Sequence, residues 1–306
     1  MISRIGYVVL EVPDLEHALS FYTNGVGVRL VERSDKAAYL ASSALHHEMV
    51  LIQSPTKSSS FVALGMEVAA GTLEPAVEQA VQAGAKVGAH GAGLANVRAG
   101  ATLETAFGFQ IELFEEMEVL LPSSPGTGGE GPLRFEHVNL ATPAIDAWNE
   151  FLVNGLGLEW SDRCYDADGT LISWFHCPVP GADHHGIANT RSQAPMLHHI
   201  KWEYPTLQEV VDRVDRFAAD AKTLVWGMGR HGVDRSIFAY VKDPAGVMNE
   251  LGLGMLRVDD SAHWTAPRDL PVETPQLVDF WGSQIPEPWL LAGLPTKSFA
   301  VAVGKN

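Results

Sequence analysis

Three short segments of the chain carry residue types that can form a reactive metal site. They are EHVNL around His137, LHHIKW around His198 and His199, and VMNELG around Glu250. Two neutral imidazoles and one carboxylate fill one face of an octahedral Fe(II) and leave the opposite face open for a substrate and O2. Apolar residues alternate with these side chains, which predicts β-strands with the ligands on one face. We therefore predict an open metal site rather than a closed structural one.

The elements that position these residues become visible when the chain is compared with itself. RIGYVVLEVPDLEHALSFYTNGVGV near the start matches RFEHVNLATPAIDAWNEFLVNGLGL from Arg134, and both predict a strand, a turn with proline, an amphipathic helix and a glycine stop. A second copy follows in each half, where strands lead into the helices TLEPAVEQAVQAGA and LQEVVDRVDRFAADA. In the last of these, Thr206 and Glu209 have capping-box spacing. The pattern predicts an α+β protein of four βαβββ units, two in each half.

The predicted domain boundaries follow from the duplication and from composition. An N-terminal domain covers residues 1–122 and a metal-binding domain residues 133–256, joined by the Ser-, Gly- and Pro-rich linker 123–132. Residues 257–306 form a tail with no regular period, in which Trp264, Phe280, Trp281 and Trp289 stand among prolines. Because so many exposed aromatic residues are unfavourable, we expect this tail to fold over the open cup of the sheet or over a neighbouring subunit.

The two halves differ at the candidate ligands. The counterparts of His137, His199 and Glu250 in the first half are, in chain order, Tyr7, Ala63 and Glu112. Since both histidines are absent there, only the second half is predicted to bind a metal. Glu112 is expected to be paired or hydrogen-bonded instead.

Composition limits the classes of function. The 306 residues are 46% hydrophobic and 19% charged, and the 21 basic residues stand against 37 acidic ones without a basic run, which argues against nucleic-acid binding. No apolar stretch reaches the length of a membrane span, and the first residues lack the features of a signal peptide. Cys164 and Cys177 have no CxxC spacing, so we expect a reducing cytoplasm, with Cys177 as a small buried hydrophobic residue.

The duplicated unit and the segments EHVNL, HHI and DPAGVMNEL resemble the vicinal oxygen chelate superfamily, in particular its two-domain type I extradiol ring-cleavage dioxygenases. The similarity covers about residues 1–256. It implies a fold in which each domain closes a cup of mixed sheet. It also implies that His137, His199 and Glu250 bind the metal, with His198 on the opposite strand face.

The same resemblance implies residues that act around the metal. His185 in HHGIA matches the family's acid/base histidine, and the histidine before it is expected to pack. His231 and Tyr240 in GRHGVDRSIFAY match residues that orient the substrate, with Asp234 as a nearby carboxylate. Asn139 shares the cavity face with the first ligand. The implied function is extradiol cleavage of a catechol by O2 at a mononuclear Fe(II), although the same ligands also accept Mn(II).

Features of the substrate pocket are similar to the homoprotocatechuate 2,3-dioxygenase branch, namely GRHGV, Trp174 in SWFHC, and the tail segments DFWG and PEPW. That branch recognises a substrate carboxylate with arginines, and the matching positions here hold Trp226, Leu277 and Val278. An apolar wall cannot offset the desolvation of a carboxylate, so we expect a catechol with an apolar or neutral substituent.

Lys201 leaves two alternatives open. It lies two residues after His199 on the same predicted strand face, where it would bring a cation to the cavity and favour an anionic or additional hydroxyl group. Alternatively, its stem follows the sheet and its ammonium pairs with an acid such as Asp243.

Resemblance to this branch also implies a homo-oligomer, either a tetramer or a dimer. Two other functions compete with ring cleavage. One is a glyoxalase-like isomerase or lyase, or a thiol transferase, that uses the metal as a Lewis acid. The other is a non-catalytic protein that sequesters a ligand in the cup.

Overall fold

The computed structural model of the chain describes residues 2–120, 131–219, 223–259 and 267–298. Most of the predicted linker, and Trp264 of the tail, lie outside the described residues. Within the described part, each half of the chain forms one mixed sheet with helices on one side.

The N-terminal half consists of eight described strands and two helices. Its first unit contains β1 (Ile2–Val12), α1 (Leu15–Ser20) with a π-helical continuation (Phe21–Val26), β2 (Arg29–Arg33), β3 (Ala37–Ala41) and β4 (Met49–Gln53). Its second unit contains β5 (Ser60–Val68), α2 (Leu73–Gln82), β6 (Lys86–Val87), a 3-10 turn (Ala92–Leu94), β7 (Val97–Glu104) and β8 (Gln110–Met117). The strand order is β2-β3-β4-β1-β5-β8-β7-β6.

The C-terminal half repeats this arrangement. Its first unit contains β9 (Arg134–Thr142), α3 (Ile145–Asn154), β10 (Glu159–Asp166), β11 (Gly169–His176) and β12 (Ile187–Arg191). Its second unit contains β13 (Met196–Glu203), α4 (Leu207–Ala218), β14 (Leu224–Arg230), β15 (Ile237–Lys242) and β16 (Met248–Leu253). The tail adds β17 (Arg268–Pro271), α5 (Glu287–Leu290) and β18 (Leu294–Pro295). The strand order is β14-β15-β16-β13-β9-β12-β11-β10-β17, with β18 paired to β13.

Strand pairing confirms the predicted βαβββ units. In each unit the last strand pairs in parallel with the first, as in β1 with β4 and β13 with β16. The two units of each half then join through antiparallel pairing of their first strands, β1 with β5 and β9 with β13. This pairing places the first strands at the centre of each sheet. The predicted α+β fold is confirmed.

The helices end and pack as the sequence pattern indicates. The side chain of Thr206 accepts a hydrogen bond from the Glu209 backbone N–H at 3.2 Å and caps α4. In α3, Trp148 is fully buried and donates from Nε1 to Asn189 Oδ1 at 2.8 Å. Helices α1 to α4 thus pack against the strands in the shared core, whereas Trp289 of α5 lies on the cup side.

Polar contacts join the two halves. The Tyr22 hydroxyl donates to the Asp243 carboxylate at 2.9 Å, and the Tyr204 hydroxyl donates to the backbone oxygen of Val26 at 2.7 Å. Arg213 donates to the backbone oxygen of Gly25 at 3.0 Å. A single hydrophobic cluster contains residues of both halves, so the duplicated units share one core.

The described tail is more regular than the sequence predicts. β17 adds to the edge of the sheet in parallel with β10, and Arg268 there donates from Nε to Asp162 Oδ1 at 2.9 Å. An edge strand offers unpaired backbone groups, which explains why an aperiodic segment forms a strand there. None of the described helices is long and apolar enough to cross a membrane.

Candidate metal centre and its cavity

Three neighbouring strands carry the predicted ligands to one point of the C-terminal cup. His137 lies on β9, His199 on β13 and Glu250 on β16, and β13 runs between the other two. In the strand register Lys201 of β13 stands opposite both His137 and Glu250. Since residues two apart in a strand share a face, His199 lies on the same face of the sheet as Lys201, His137 and Glu250.

The ligand atoms have the spacing of a metal site. The two Nε2 atoms of His137 and His199 are 3.2 Å apart, and Glu250 Oε2 lies 3.6 Å from the first and 3.4 Å from the second. Ligands about 2.1 Å from an ion and at right angles to each other are about 3.0 Å apart. Within the part of the chain that the structure describes, this is the one group of three potential ligands found close enough to hold an ion. The three residues therefore fit a mononuclear metal.

Hydrogen bonds outside the triad orient His199. The Trp289 backbone oxygen can only accept, so His198 Nε2 donates to it at 3.0 Å. His198 Nδ1 then accepts from His199 Nδ1 at 2.8 Å, which leaves the lone pair of His199 on Nε2, facing the other ligands. His198 itself stands outside the triad.

The protonation states suit a cation. Burial lowers the pKa of His137 and of His199, so both rings are neutral at pH 7. Burial by itself would raise the pKa of Glu250, but the Lys201 charge and the neighbouring imidazoles outweigh it and hold that pKa well below its usual range. The triad therefore offers two neutral nitrogens and one carboxylate, as its residue types suggest.

A cavity opens directly beside the triad. Besides the ligands, its polar lining residues are Asn139, His185, His231, Asp234 and Tyr240. Its apolar wall consists of Ile172, Trp174, Ala188, Val233, Leu277, Val278 and Trp289. The wall includes three residues of the tail, so the tail borders the cavity of the C-terminal cup.

The polar residues stand on two sides of the metal position. The His185 ring lies 4.3 Å from the His137 ring, centroid to centroid. On the other side, the Tyr240 hydroxyl donates to Glu250 Oε2 at 2.7 Å and lies 3.2 Å from His231 Nε2. Burial raises the pKa of Tyr240 well above its usual value, so its hydroxyl keeps its proton.

A chain of hydrogen bonds leads from the cavity to the tail. The Asp162 carboxylate, bound by Arg268, accepts from His184 Nε2 at 2.8 Å. His184 Nδ1 then accepts from His185 Nδ1 at 3.0 Å, which leaves the lone pair of His185 on Nε2. Burial lowers the pKa of His185 well below its usual value, so it is a neutral base. The sequence predicts only a packing role for His184. In the structure His184 also orients the His185 ring.

Comparisons with known proteins now bear on this geometry. A family model described as the Glyoxalase/Bleomycin resistance protein/Dioxygenase superfamily matches residues 4–113 and 134–251, one match in each half. The chain belongs to this superfamily. The superfamily expected from the sequence is thereby confirmed.

Individual relatives agree with the family. The chain is 33% identical to Metapyrocatechase 2 of Cupriavidus necator over 51% of this chain and 46% of that protein, so this match spans about half of the relative. It is 23% identical to Metapyrocatechase of Geobacillus stearothermophilus over 96% of this chain and 94% of that protein. The fold matches homoprotocatechuate 2,3-dioxygenase from Arthrobacter globiformis with a TM-score of 0.85 and 23% identity, covering 96% of this chain and 92% of that one.

Two of the predicted substrate contacts lie elsewhere in this superfamily member. Trp226 does not line the cavity: it stands opposite Tyr240 in the strand register, stacks on that ring at a centroid distance of 5.6 Å, and donates to Ser283 Oγ at 2.9 Å. Lys201 also lies outside the lining. By contrast Asn139, a hydrogen-bond acceptor of Thr190 at 3.0 Å, faces the cavity as expected.

Lys201 pairs with different acids from the one suggested. Its Nζ lies 3.0 Å from Glu250 Oε1 and 3.1 Å from Glu136 Oε2, and it donates to Ser236 Oγ at 2.8 Å. Asp243 is engaged by Tyr22 instead. Burial opposes the charge of Lys201, but the two carboxylates outweigh it and raise its pKa. The alternative in which the ammonium pairs with an acid is therefore correct, with other partners.

In the N-terminal cup of this superfamily member the counterpart residues are hydrogen-bonded and packed. Tyr7 donates to Glu112 at 2.7 Å, so Glu112 is hydrogen-bonded, as predicted. Leu94 and Phe114 are buried in one cluster with Tyr7, and the segment around Gly93 closely approaches the Tyr7 ring. The N-terminal cup is thus filled around Tyr7 and Glu112, whereas the C-terminal cup is open beside the triad.

Proposed function

We propose that this chain is an extradiol dioxygenase, which uses O2 and a mononuclear Fe(II) to open a catechol ring beside its two hydroxyls. The observation that supports it most is the convergence of His137, His199 and Glu250 at one end of a cavity whose other polar walls are His185 and Tyr240. Fe(II) is the metal we propose, and reconstitution with Fe(II) and with Mn(II) in parallel distinguishes the two.

The protein's own residues would bind and orient the diol. A bound Fe(II) supplies the exchange of electron density between catechol and O2, which react slowly with each other when free. Tyr240 and His231 lie on the Glu250 side, where their polar atoms can bind one catechol oxygen. Trp174 and Trp289 shield the ring from water.

His185 is the proposed acid and base. Its Nε2 carries the lone pair because Nδ1 donates to His184. A neutral imidazole beside the His137 ligand can take a proton from the incoming diol and return it to oxygen later in the cycle. Tyr240, on the opposite side, keeps its proton and acts as a donor.

The cavity favours a neutral substrate. Its described lining contains no lysine or arginine, and the positions where the related branch has arginines include Leu277 and Val278 in the wall. Asp234 in the lining is ionised, since Lys201 and neighbouring histidines outweigh burial and lower its pKa. A substrate carboxylate would therefore lose its hydrating water without gaining a lysine or arginine partner, and Asp234 would repel it. We propose a catechol with an apolar or neutral substituent.

The test is an oxygen-electrode assay of Fe(II)-loaded protein with four diols. Catechol, 4-methylcatechol and 2,3-dihydroxybiphenyl should give O2 uptake and a yellow product. Homoprotocatechuate should be at least about 5-fold poorer in kcat/KM, since an uncompensated buried polar group costs about 1–3 kcal/mol. No uptake with any diol would favour a Lewis-acid enzyme of the same fold or a ligand-sequestering protein.

We also propose a homo-oligomer. Part of the tail exposes large apolar side chains, among them Trp281 and Leu291, which are 55% and 76% exposed. Contact with another copy of the chain would cover such a surface. Sedimentation velocity of the metal-loaded protein tests this, and a monomer at all concentrations would exclude it.

A further inference from the structure

Lys201 is a fully buried lysine that lies behind the metal position rather than in the cavity. A buried ammonium is costly unless it is paired, and this one has two carboxylates, Glu250 and Glu136, within 3.1 Å. One of these carboxylates belongs to a proposed metal ligand. The lysine therefore acts on the metal centre through Glu250.

The strand arrangement explains how the lysine reaches Glu250. Lys201 sits in β13, directly opposite Glu250 of β16 and His137 of β9. The register with β9 shifts between Lys201 and Trp202, so Glu136 falls at an irregularity of the ladder. Such a bulge redirects a side chain, and Glu136 reaches Lys201 at 3.1 Å.

The two oxygens of Glu250 have different surroundings. Oε2 faces the ligand nitrogens of His137 and His199 and accepts from the Tyr240 hydroxyl. Oε1 faces Lys201 Nζ at 3.0 Å and His231 Nε2 at 3.6 Å. One oxygen is thus directed to the metal position and the other to a cation.

We propose that Lys201 is a positioning residue that holds Oε1 of Glu250, so that Glu250 presents only Oε2 to the metal. This inference rests on the proposed metal centre. A carboxylate that binds a metal through both oxygens takes two coordination positions, whereas one held in this way takes one. The second coordination position then remains open. The diol and O2 together need such open positions on the face opposite the triad.

Glu136 completes the arrangement by balancing charge. A lone cation 3.0 Å from Glu250 would oppose the binding of a divalent metal to the same carboxylate. Glu136 Oε2 lies 3.1 Å from the same ammonium, and in its ionised form it offsets this charge, so that Lys201 can engage Oε1 with less net positive charge near the metal.

The test uses nitric oxide as a probe of open coordination positions on Fe(II). Its binding is measured by electron paramagnetic resonance in the absence of O2, so no turnover is needed. Wild type should bind catechol and nitric oxide together. K201M/E136L removes the buried pair without leaving an unpaired charge, an exchange that buried ion pairs often tolerate. In this variant catechol should weaken nitric oxide binding at least about 10-fold, which corresponds to about 1.4 kcal/mol. K242M, at the exposed lysine that ends β15, is the control and should behave as wild type.

The outcomes separate this inference from the proposed function. If wild type forms the joint complex and K201M/E136L forms it with the same nitric oxide affinity, the role of Lys201 is wrong and the dioxygenase proposal stands. If wild type itself fails to bind both, the dioxygenase proposal fails. Single K201M is the second variant: catechol should weaken nitric oxide binding in it as well, and a nitric oxide affinity equal to that of wild type would also overturn the inference.

Discussion

Asp243 offers a quantitative prediction, because it is a nearly fully buried carboxylate at the junction of the two halves. It accepts hydrogen bonds from the Val247 backbone N–H at 2.7 Å and from the Tyr22 hydroxyl at 2.9 Å. Burial nevertheless outweighs these bonds and raises the pKa of Asp243 from 3.8 to about 6. The folded protein therefore holds this proton more tightly than the unfolded chain does.

The sign and size of the pH effect follow from this shift. Stability from the protonated carboxyl is fully present below about pH 4 and is lost as pH rises through about 6. A shift of about two units at ~1.4 kcal/mol per unit sets the loss at ~3 kcal/mol. In D243N the side chain stays neutral, so its free energy of unfolding should not include this loss.

The assay is urea unfolding of metal-free wild type and D243N at several pH values between 4 and 8. We expect the free energy of unfolding of D243N minus that of wild type to increase by up to ~3 kcal/mol across this range. Y22F removes a hydrogen bond that lowers the pKa of Asp243 in the folded protein, so its stability should continue to fall up to a higher pH than that of wild type. Parallel pH profiles for wild type and D243N would refute the reasoning.

Three further predictions concern the cavity and the metal. H185A should keep Fe(II) and catechol binding, measured anaerobically, but lose about 10²- to 10⁴-fold in kcat; H47A, at the matching position of the filled cup, is the control and should retain turnover. L277R places a cation in the wall, so kcat/KM for homoprotocatechuate relative to catechol should rise at least about 10-fold, and an unchanged ratio would exclude this part of the wall as the selector. Removal of the metal by a chelator should lower the melting temperature, and Fe(II) at 100 times its Kd should restore about 2.7 kcal/mol of stability, whereas a site that does not bind metal would show no change.

The triad and the fold could be predicted because both leave periodic signals in the sequence. His137 and His199 alternate with apolar residues, which fixes their strand face, and the duplication shows which half has lost them. The duplication also allowed Glu112 to be predicted as hydrogen-bonded. It is the counterpart of Glu250, but the first half lacks the two histidines that would make it a metal ligand. The structure pairs it with Tyr7.

Other contacts left no such signal. His184 is bound by Asp162, which is held in turn by Arg268, 106 residues further along the chain than Asp162. No period links a tail residue to a strand so distant in sequence. The partner of Lys201 was missed because alternation places Glu136 on the other face, and only the irregular register of β9 and β13 brings it close. Trp226 shares a register position with Tyr240, and aromatic stacking directs it behind that ring.

Comparison of the two halves shows which features of the site also occur in the half without the metal ligands. In both halves two adjacent histidines make the same Nδ1 to Nδ1 contact, at 2.9 Å for His46 and His47 and 3.0 Å for His184 and His185. In the first half His47 Nε2 bonds the Gly93 backbone oxygen at 2.9 Å, so its lone pair faces no cavity.

The segment that contains Gly93 also explains why the first cup is filled. A Cβ atom built on Gly93 would lie 2.2 Å from the Tyr7 ring, so only glycine lets this segment approach so closely. In the second half the corresponding segment between β14 and β15 lines a cavity instead, and the two ligand histidines and Glu250 lie beside that cavity.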